Sequence, residues 1–226
     1  MRTTTKYKVN EQIFDEIDSQ DKAYWLGFLS SDGHIGENSI IIEISNKDVD
    51  HLYKFQKFMM SEHPIKTTRK DCSLISINSR KLCKAVRELG FERNKTFTLP
   101  QPDQIIPTDL ISHFYRGWFD GDGWLSSRKM KNSKNEFSDT DRRNWEICFC
   151  SADLSFITQF KVWINTTLDN KLGYLHTRKN VHTLSFGGNK SFTRVSSLLY
   201  NDASTFLTRK FDLVQAANQN IQDTAR

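Results

Sequence analysis

Apolar and polar positions along this chain fall into two matching series. Residues 24–35 (Tyr-Trp-Leu-Gly-Phe-Leu-Ser-Ser-Asp-Gly-His-Ile) and 114–125 (Phe-Tyr-Arg-Gly-Trp-Phe-Asp-Gly-Asp-Gly-Trp-Leu) are helix-like apolar runs that stop abruptly at Asp-Gly. Ahead of the first, residues 9–17 suggest a short leading helix. Ser19 is a fair N-cap for the next, with Asp21 in its first turn, running to about Ser31. Gly33 is expected to close that helix through a left-handed backbone. Ile40, Ile41, Ile42 and Ile44 then read as strand, after a turn at Glu37-Asn38. Val49, Leu52, Phe55, Phe58 and Met59 have helical spacing. Residues 64–78 read as a second hairpin turning near Asp71, and Leu82, Val86 and Leu89 as a helix closed by Gly90.

The second series repeats that order. Pro100, Pro102 and Pro107 mark a linker, because proline interrupts both helices and sheets. Thr108 or Asp109 caps the helix carrying the second Asp-Gly stop. Two strands around a polar insert follow over residues 125–151. Next come an amphipathic helix over 153–168, a hairpin over 172–187 and a helix over 190–201. The motifs are offset by 90 residues (122 − 32), whereas Ser45 and Ser151 are offset by 106 (151 − 45). That difference predicts a 16-residue insertion in the second copy's first hairpin. The expected architecture is α+β: a half at 1–99, a linker at 100–107 and a half at 108–226, each reading αββαββα.

Length alone does not separate one domain from two; the repeat does. The formal charge is +5 and the isoelectric point near 9.0. Basic clusters at 66–70, 128–134 and 176–179 favour a polyanionic partner. Cys72, Cys83, Cys148 and Cys150 form no Cys-x-x-Cys pair, which fits a reducing compartment. The opening Met-Arg-Thr-Thr-Thr-Lys lacks an apolar core, and no apolar stretch approaches a membrane span. The expectation is a soluble intracellular protein without membrane contact, in a bacterial or phage-infected cytoplasm or an organelle.

The chemistry rests on Asp32 and Asp122. Gly27 and Ser31 are four apart, as are Gly117 and Gly121, so each pair shares a helix face. Small residues there allow two helices to approach closer than the usual 8–10 Å. If the copies pack on each other, their terminal acids come together. Two carboxylates at helix C-termini gain nothing from the dipole and repel each other. A divalent cation offsets this. Magnesium suits it, being held by one or two carboxylates plus phosphate oxygens. An acidic helix end with a glycine stop explains one copy equally well, but accounts poorly for two in matching contexts. A calcium EF-hand fails on spacing, since Lys131 and Ile41 stand where the loop needs Glu.

Leu26-Gly27-Phe28-Leu29-Ser30-Ser31-Asp32-Gly33 and Gly117-Trp118-Phe119-Asp120-Gly121-Asp122-Gly123 resemble the LAGLIDADG motif of homing endonucleases of the single-chain, two-motif type. The resemblance covers nearly the whole chain. It implies a monomer with internal pseudo-two-fold symmetry, whose antiparallel sheets form a saddle on double-stranded DNA. Asp32 and Asp122 would bind two or more Mg²⁺ ions, each supporting hydrolysis of one strand. The product would carry 3′ overhangs at a site of roughly 20 bp. A gene of the intron-homing type goes with such a protein. Lys95 and Lys210 are the lysines the family places near its sites. Arg69, Lys70, Arg178 and Lys179 fall on hairpins able to enter the major groove, while Arg128, Lys129, Lys131, Arg142 and Arg143 reach flanking phosphate. The family's earlier motif aspartate is Ser30 in the first copy and Asp120 in the second. The alternatives are an RNA-splicing maturase or a DNA-binding regulator of the same fold without cleavage, and an unrelated two-acid enzyme.

Overall fold

The computed structural model describes residues 6–69, 71–91, 99–131 and 142–224. They run α1 (Gln20–Ser31), β1 (Gly33–Ile35), β2 (Ser39–Ser45), α2 (Val49–Phe58), β3 (Ile65–Arg69), β4 (Cys72–Asn78) and α3 (Arg80–Glu88). A single-turn α4 (Pro102–Ile105) lies in the proline-rich stretch. The second series is α5 (Ile111–Asp122), β5 (Trp124–Lys129), β6 (Arg143–Ser151), α6 (Leu154–Thr167), β7 (Tyr174–Arg178), β8 (Val181–Gly187) and α7 (Asn189–Tyr200), followed by α8 (Thr208–Thr224). The order is the expected duplicated αββαββα, with the single-turn α4 between the copies and α8 after the second. The fold is α+β, with two four-stranded antiparallel sheets ordered β1-β2-β4-β3 and β5-β6-β8-β7.

Local chemistry explains most boundaries. Ser79 accepts the Leu82 amide (3.1 Å) and Asp153 the Phe156 amide (3.0 Å), each satisfying an orphan donor at a helix start. Asp71 has φ 72° at the β3–β4 turn and Gly90 φ 91° after α3, both as the sequence suggests. Two expectations fail. Residues 9–17 form turns, not a helix, and Ile13, Phe14 and Ile17 are buried in the core from them. Gly33 does not close α1 in the left-handed region. Asp32 ends the helix in a right-handed conformation, and Gly33 opens β1. A Cβ at Gly33 would lie 2.6 Å from Leu29 Cδ2, so a close approach requires glycine there.

Strand pairing also corrects the repeat. His34 pairs with Ile41 and Trp124 with Cys148, so the β2–β6 offset is 107 (148 − 41), not 106. The insertion is therefore 17 residues (107 − 90). One residue matters because side chains alternate faces. An offset of 106 would match Ile42, on the helix-covered face of its sheet, with Cys148 on the opposite face of the other; 107 matches Ile42 with Phe149 and Ile40 with Ile147, all on the helix-covered faces. The insert itself, 132–141, lies outside the described residues.

The chain divides into two compact units. One comprises residues up to Gly121 together with Ser204–Thr208; the other comprises Asp122–Ala203 and the residues from Arg209 onward. This division differs from a boundary at 100–107, because α5 up to Gly121 packs with the first copy's helices. In the first unit α2 and α3 cover one face of the sheet, and Trp25 packs against Phe28, Phe55 and His51. In the second, α6 and α7 cover one face around Phe149, Phe160 and Phe186. Helix α8 escapes the sequence reading because its buried positions are Lys210, Val214 and Ala217, which hardly register as an apolar stripe. It is secured by polar bonds within the unit, including Trp145 Nε1 to Asn220 Oδ1 (3.1 Å) and Thr193 Oγ1 to Asn218 Oδ1 (3.3 Å).

Candidate catalytic and nucleic-acid-binding site

Small residues let α1 and α5 approach to backbone contact within the first unit. A Cβ on Gly27 would run into the Phe114 carbonyl, and one on Gly117 into the Tyr24 carbonyl. At the last turns, a Cβ on Gly121 would meet the Ser31 hydroxyl and sit 3.2 Å from Asp32 Oδ2. The Asp32 carboxylate, half-buried, thus lies beside the residue that precedes Asp122. Its own amide closes α1 by donating to Phe28 O (3.0 Å).

Asp122, the last residue of α5, is exposed and belongs to the second unit. Its carbonyl accepts from the Cys150 thiol (3.4 Å). Burial pushes the Cys150 thiol up, the Asp122 charge raises it further, and the Lys210 ammonium pulls it partly back. Asp122, Cys150 and Lys210 therefore share one neighbourhood, although Lys210 is itself buried. The next thiol on the same strand face, Cys148, is pushed up to about 12 by burial and then by the charge of Glu146. The sequence reading anticipates Lys210 but not Cys150 or Glu146. Only the alternation of β6, counted from its true register, brings them to this face. Lys95 lies outside the described residues.

The donor set suits a hard cation. Among the described residues no group of three or more His, Cys, Asp or Glu side chains could enclose a metal ion. What the motifs offer is one carboxylate each, which fits an ion that keeps waters and takes phosphate oxygens.

The earlier motif acid has a different use. Asp120 is 1% exposed and accepts from the Tyr24 hydroxyl (2.7 Å) and the Leu207 amide (2.7 Å). Ser30, its counterpart, donates to Gly27 O in its own helix (2.5 Å). The bulky Arg116 is also buried. Its guanidinium lies 5.2 Å from the Tyr24 ring centroid, and its Nε donates to Thr205 O (2.9 Å).

Each sheet has one face not covered by its helices. In the second unit, the pairing Trp124–Cys148–Ser185–Tyr174 fixes that face. Arg128 and Arg178 lie on it and are exposed. So are Tyr174 and His176, whose rings stack at 6.4 Å and 12°. Ser126 donates to Glu146 on the same face (3.1 Å). Lys129 and Arg143 pair with each other on the opposite side, where Arg143 donates to Ser127 (3.1 Å). Lys131 and Arg142 are exposed where the β5–β6 hairpin extends toward its insert. Lys179 is exposed at the β7–β8 turn, with φ 55°. In the first unit, His34, Glu43 and Lys66 occupy the open face, and Thr68 donates to Glu43 (2.7 Å). Arg69 ends β3, and Lys70 lies outside the described residues. No helix among the described residues is long and apolar enough to cross a membrane.

No known family's sequence profile matches the chain. Over an alignment of 129 positions that covers 52% of the chain, it is 26% identical to the replication factor C small subunit of Methanocaldococcus jannaschii, and it spans only 7% of that protein. Solved structures are far more informative. The LAGLIDADG meganuclease I-AabMI bound to uncleaved DNA superposes with a TM-score of 0.63 at 11% identity, over 89% of this chain and 91% of that one. The I-SmaMI LAGLIDADG homing endonuclease bound to cleaved DNA gives 0.63 at 12% identity, over 93% and 92%. I-SmaMI bound to an uncleaved target in the presence of calcium ions gives 0.60 at 12%, over 90% and 92%. The chain has the LAGLIDADG homing endonuclease fold.

Proposed function

We propose that this chain, with its LAGLIDADG homing endonuclease fold, is a metal-dependent endonuclease that cuts both strands of a long DNA site. The observation that carries this reading is the backbone-close packing of α1 on α5 within the first unit. It sets the Asp32 carboxylate against Gly121, next in the chain to Asp122. Close packing alone needs no acid at that point. Acids at both motif ends, where the dipole disfavours them, call for a cation.

Asp32 and Asp122 would hold magnesium ions. When bound, such ions lower the pKa of the attacking water and neutralise charge on the phosphate. Each carboxylate serves one strand of the duplex. The Lys210 ammonium offers a fixed positive charge in the Asp122 neighbourhood, suited to the charge that builds on phosphate oxygens. No side-chain nucleophile is required. The open sheet faces supply recognition. Arg128 and Arg178 suit guanine edges or phosphate, and Glu146 suits a cytosine amino group. Lys129 and Arg143, on the other side, suit phosphate at most. A site of roughly 20 bp is the length expected of two half-surfaces of about one turn each, and 3′ overhangs are what the resemblance to LAGLIDADG homing endonucleases implies.

The deciding experiment incubates the protein with a randomised target library in Mg²⁺ or Ca²⁺ and sequences the ends produced. Double-strand cuts at one long site, in Mg²⁺ only, are expected. Asp32→Asn and Asp122→Asn should each abolish double-strand cutting and leave binding within about threefold, below 1 kcal/mol. Sequence-specific binding without any cut would overturn the nuclease reading in favour of a regulator or maturase.

A further inference from the structure

Residues 170–201 include no aspartate or glutamate, although they include Lys171, Arg178, Lys179, Lys190 and Arg194. A polyanion is the complementary partner for such a segment. Within it β7 ends the sheet of the second unit and pairs on one side only, with β8. Alternate side chains of β7 fall on the face that the helices leave open, namely Tyr174, His176 and Arg178. All three are exposed, and Tyr174, at 70%, is the most exposed aromatic residue among the described residues. On the inner side β8 lines this strip with hydroxyls, Ser185 opposite Tyr174 and Thr183 opposite His176.

A single exposed ring needs no explanation. Two in register, beside cations, do. The rings of Tyr174 and His176 stand nearly parallel (12°) with centroids 6.4 Å apart. Stacked bases rise only about 3.4 Å, so at this spacing neither ring fully covers the other's face. The strand that carries them is fixed from its inner side. The Leu172 amide donates to Asn165 Oδ1 on α6 (2.7 Å). Gly173, at φ 82°, leads into β7 so close to the core that a Cβ would lie 2.7 Å from Phe186 Cε1. A fixed platform loses little entropy when a flat group settles on it. Among the described residues neither Arg178 nor Lys179 has an ion-pair partner, which leaves both charges to phosphate.

A duplex makes poor use of such a platform. Its base faces are covered by neighbouring pairs, and only base edges reach the grooves. An unpaired base offers its face, and aromatic side chains on an antiparallel sheet are one way proteins hold it. We propose that Tyr174 and His176 stack unpaired bases of a single-stranded nucleic acid. Arg178 and Lys179 serve its phosphates, and the Ser185 and Thr183 hydroxyls its base edges. The site lies wholly within the second unit and needs no metal. It adds to duplex cleavage and does not rest on it. Charged residues on an edge strand also guard against pairing with a second copy of the chain.

The test measures binding of the full chain to short labelled oligothymidylate and oligouridylate with EDTA present, beside an unrelated duplex of equal length. Tyr174→Ala should weaken binding of the single strands by about five- to 150-fold, the loss expected for one base–aromatic stack. Tyr174→Phe keeps the ring and should stay within about twofold of wild type. His176→Ala should fall between the two. Duplex binding, driven by phosphate charge, should stay within about twofold in all three. Tyr53→Ala removes an exposed ring from α2 and should change neither. Side chains this exposed are removed without unfolding the chain. Equal binding of both oligonucleotides supports stacking with phosphate contact alone, and tighter oligouridylate supports the same site with an added 2′-hydroxyl contact. Absence of single-strand binding by the wild type would overturn the proposal, as would a Tyr174→Ala protein that loses single strand and duplex alike. Self-association in sedimentation that Tyr174→Ala abolishes would assign the face to a second copy and overturn it too. A chain that binds single strands but never cuts a duplex would remove the nuclease reading and leave this site standing.

Discussion

Replacing Gly117 with alanine puts one methyl group into the tightest point of the first unit. The new carbon would run into the Tyr24 carbonyl oxygen and lie 2.7 Å from the Phe28 amide nitrogen. Both are backbone atoms in the middle of α1, so no side chain can swing aside. The helices must separate by about 1 Å or more at the contact. Overpacking that side chains can absorb costs about 1–3 kcal/mol, and a backbone clash belongs at or above the top of that range. Alanine returns up to about 1 kcal/mol through its better helix propensity. The net loss is about 2 kcal/mol or more. For a chain of this length that lowers the Tm by about 4–8 °C, at about 2–4 °C per kcal/mol. Gly187→Ala is the control, because its Cβ would sit 3.4 Å from Glu146 Oε1, an ordinary contact. Thermal unfolding of both variants, followed by circular dichroism, makes the comparison. A Gly117→Ala protein melting with wild type would refute the close-packing argument, and with it the placement of Asp32 beside Gly121.

Three further outcomes are expected. Cys148, raised from 9.0 to about 12, and Tyr115, raised by burial, stay protonated in the folded chain after the unfolded chain has ionised. Stability should be full below pH 9 and fall as pH climbs toward 12; Cys148→Ala should flatten that decline in urea titrations at stepped pH. Burial lowers His63, whose Nε2 accepts from the Asn78 amide (3.1 Å), so its contribution should hold above pH 6.5 and fade as acid protonates the ring. A His63→Gln variant that loses stability equally on acidification would contradict this. In binding titrations across salt concentrations, Arg178→Ala should weaken target binding more than Lys129→Ala. The open sheet face carries the first and not the second. Removing a cation that neutralises one phosphate, at either position, lowers the salt slope by about one.

Much of this molecule is legible in its amino-acid order. Helix spacing at 48–60 and 153–168, turns at Asp71 and Gly90, and two Asp-Gly stops are local signals, because periodicity and turn chemistry act over a few neighbours. Residues 9–17 mislead for the same reason: a short apolar series cannot say whether it coils into a helix or drops side chains into a core. Helix α8 is missed because its seam includes a buried lysine.

The duplication, the element order and the paired aspartates thus follow from the sequence by itself, since each is written in spacings that survive without tertiary contacts. Which side of a sheet a basic residue occupies does not, because one residue of strand register reverses every face; hence the 107-residue offset and the separation of Arg178 from Lys129 came only with pairing. Nor does the use of Asp120. A motif acid reads alike as a metal ligand or an anchor until its partners arrive from distant parts of the chain. Here they are Tyr24 and Leu207, and only folding could bring them to it.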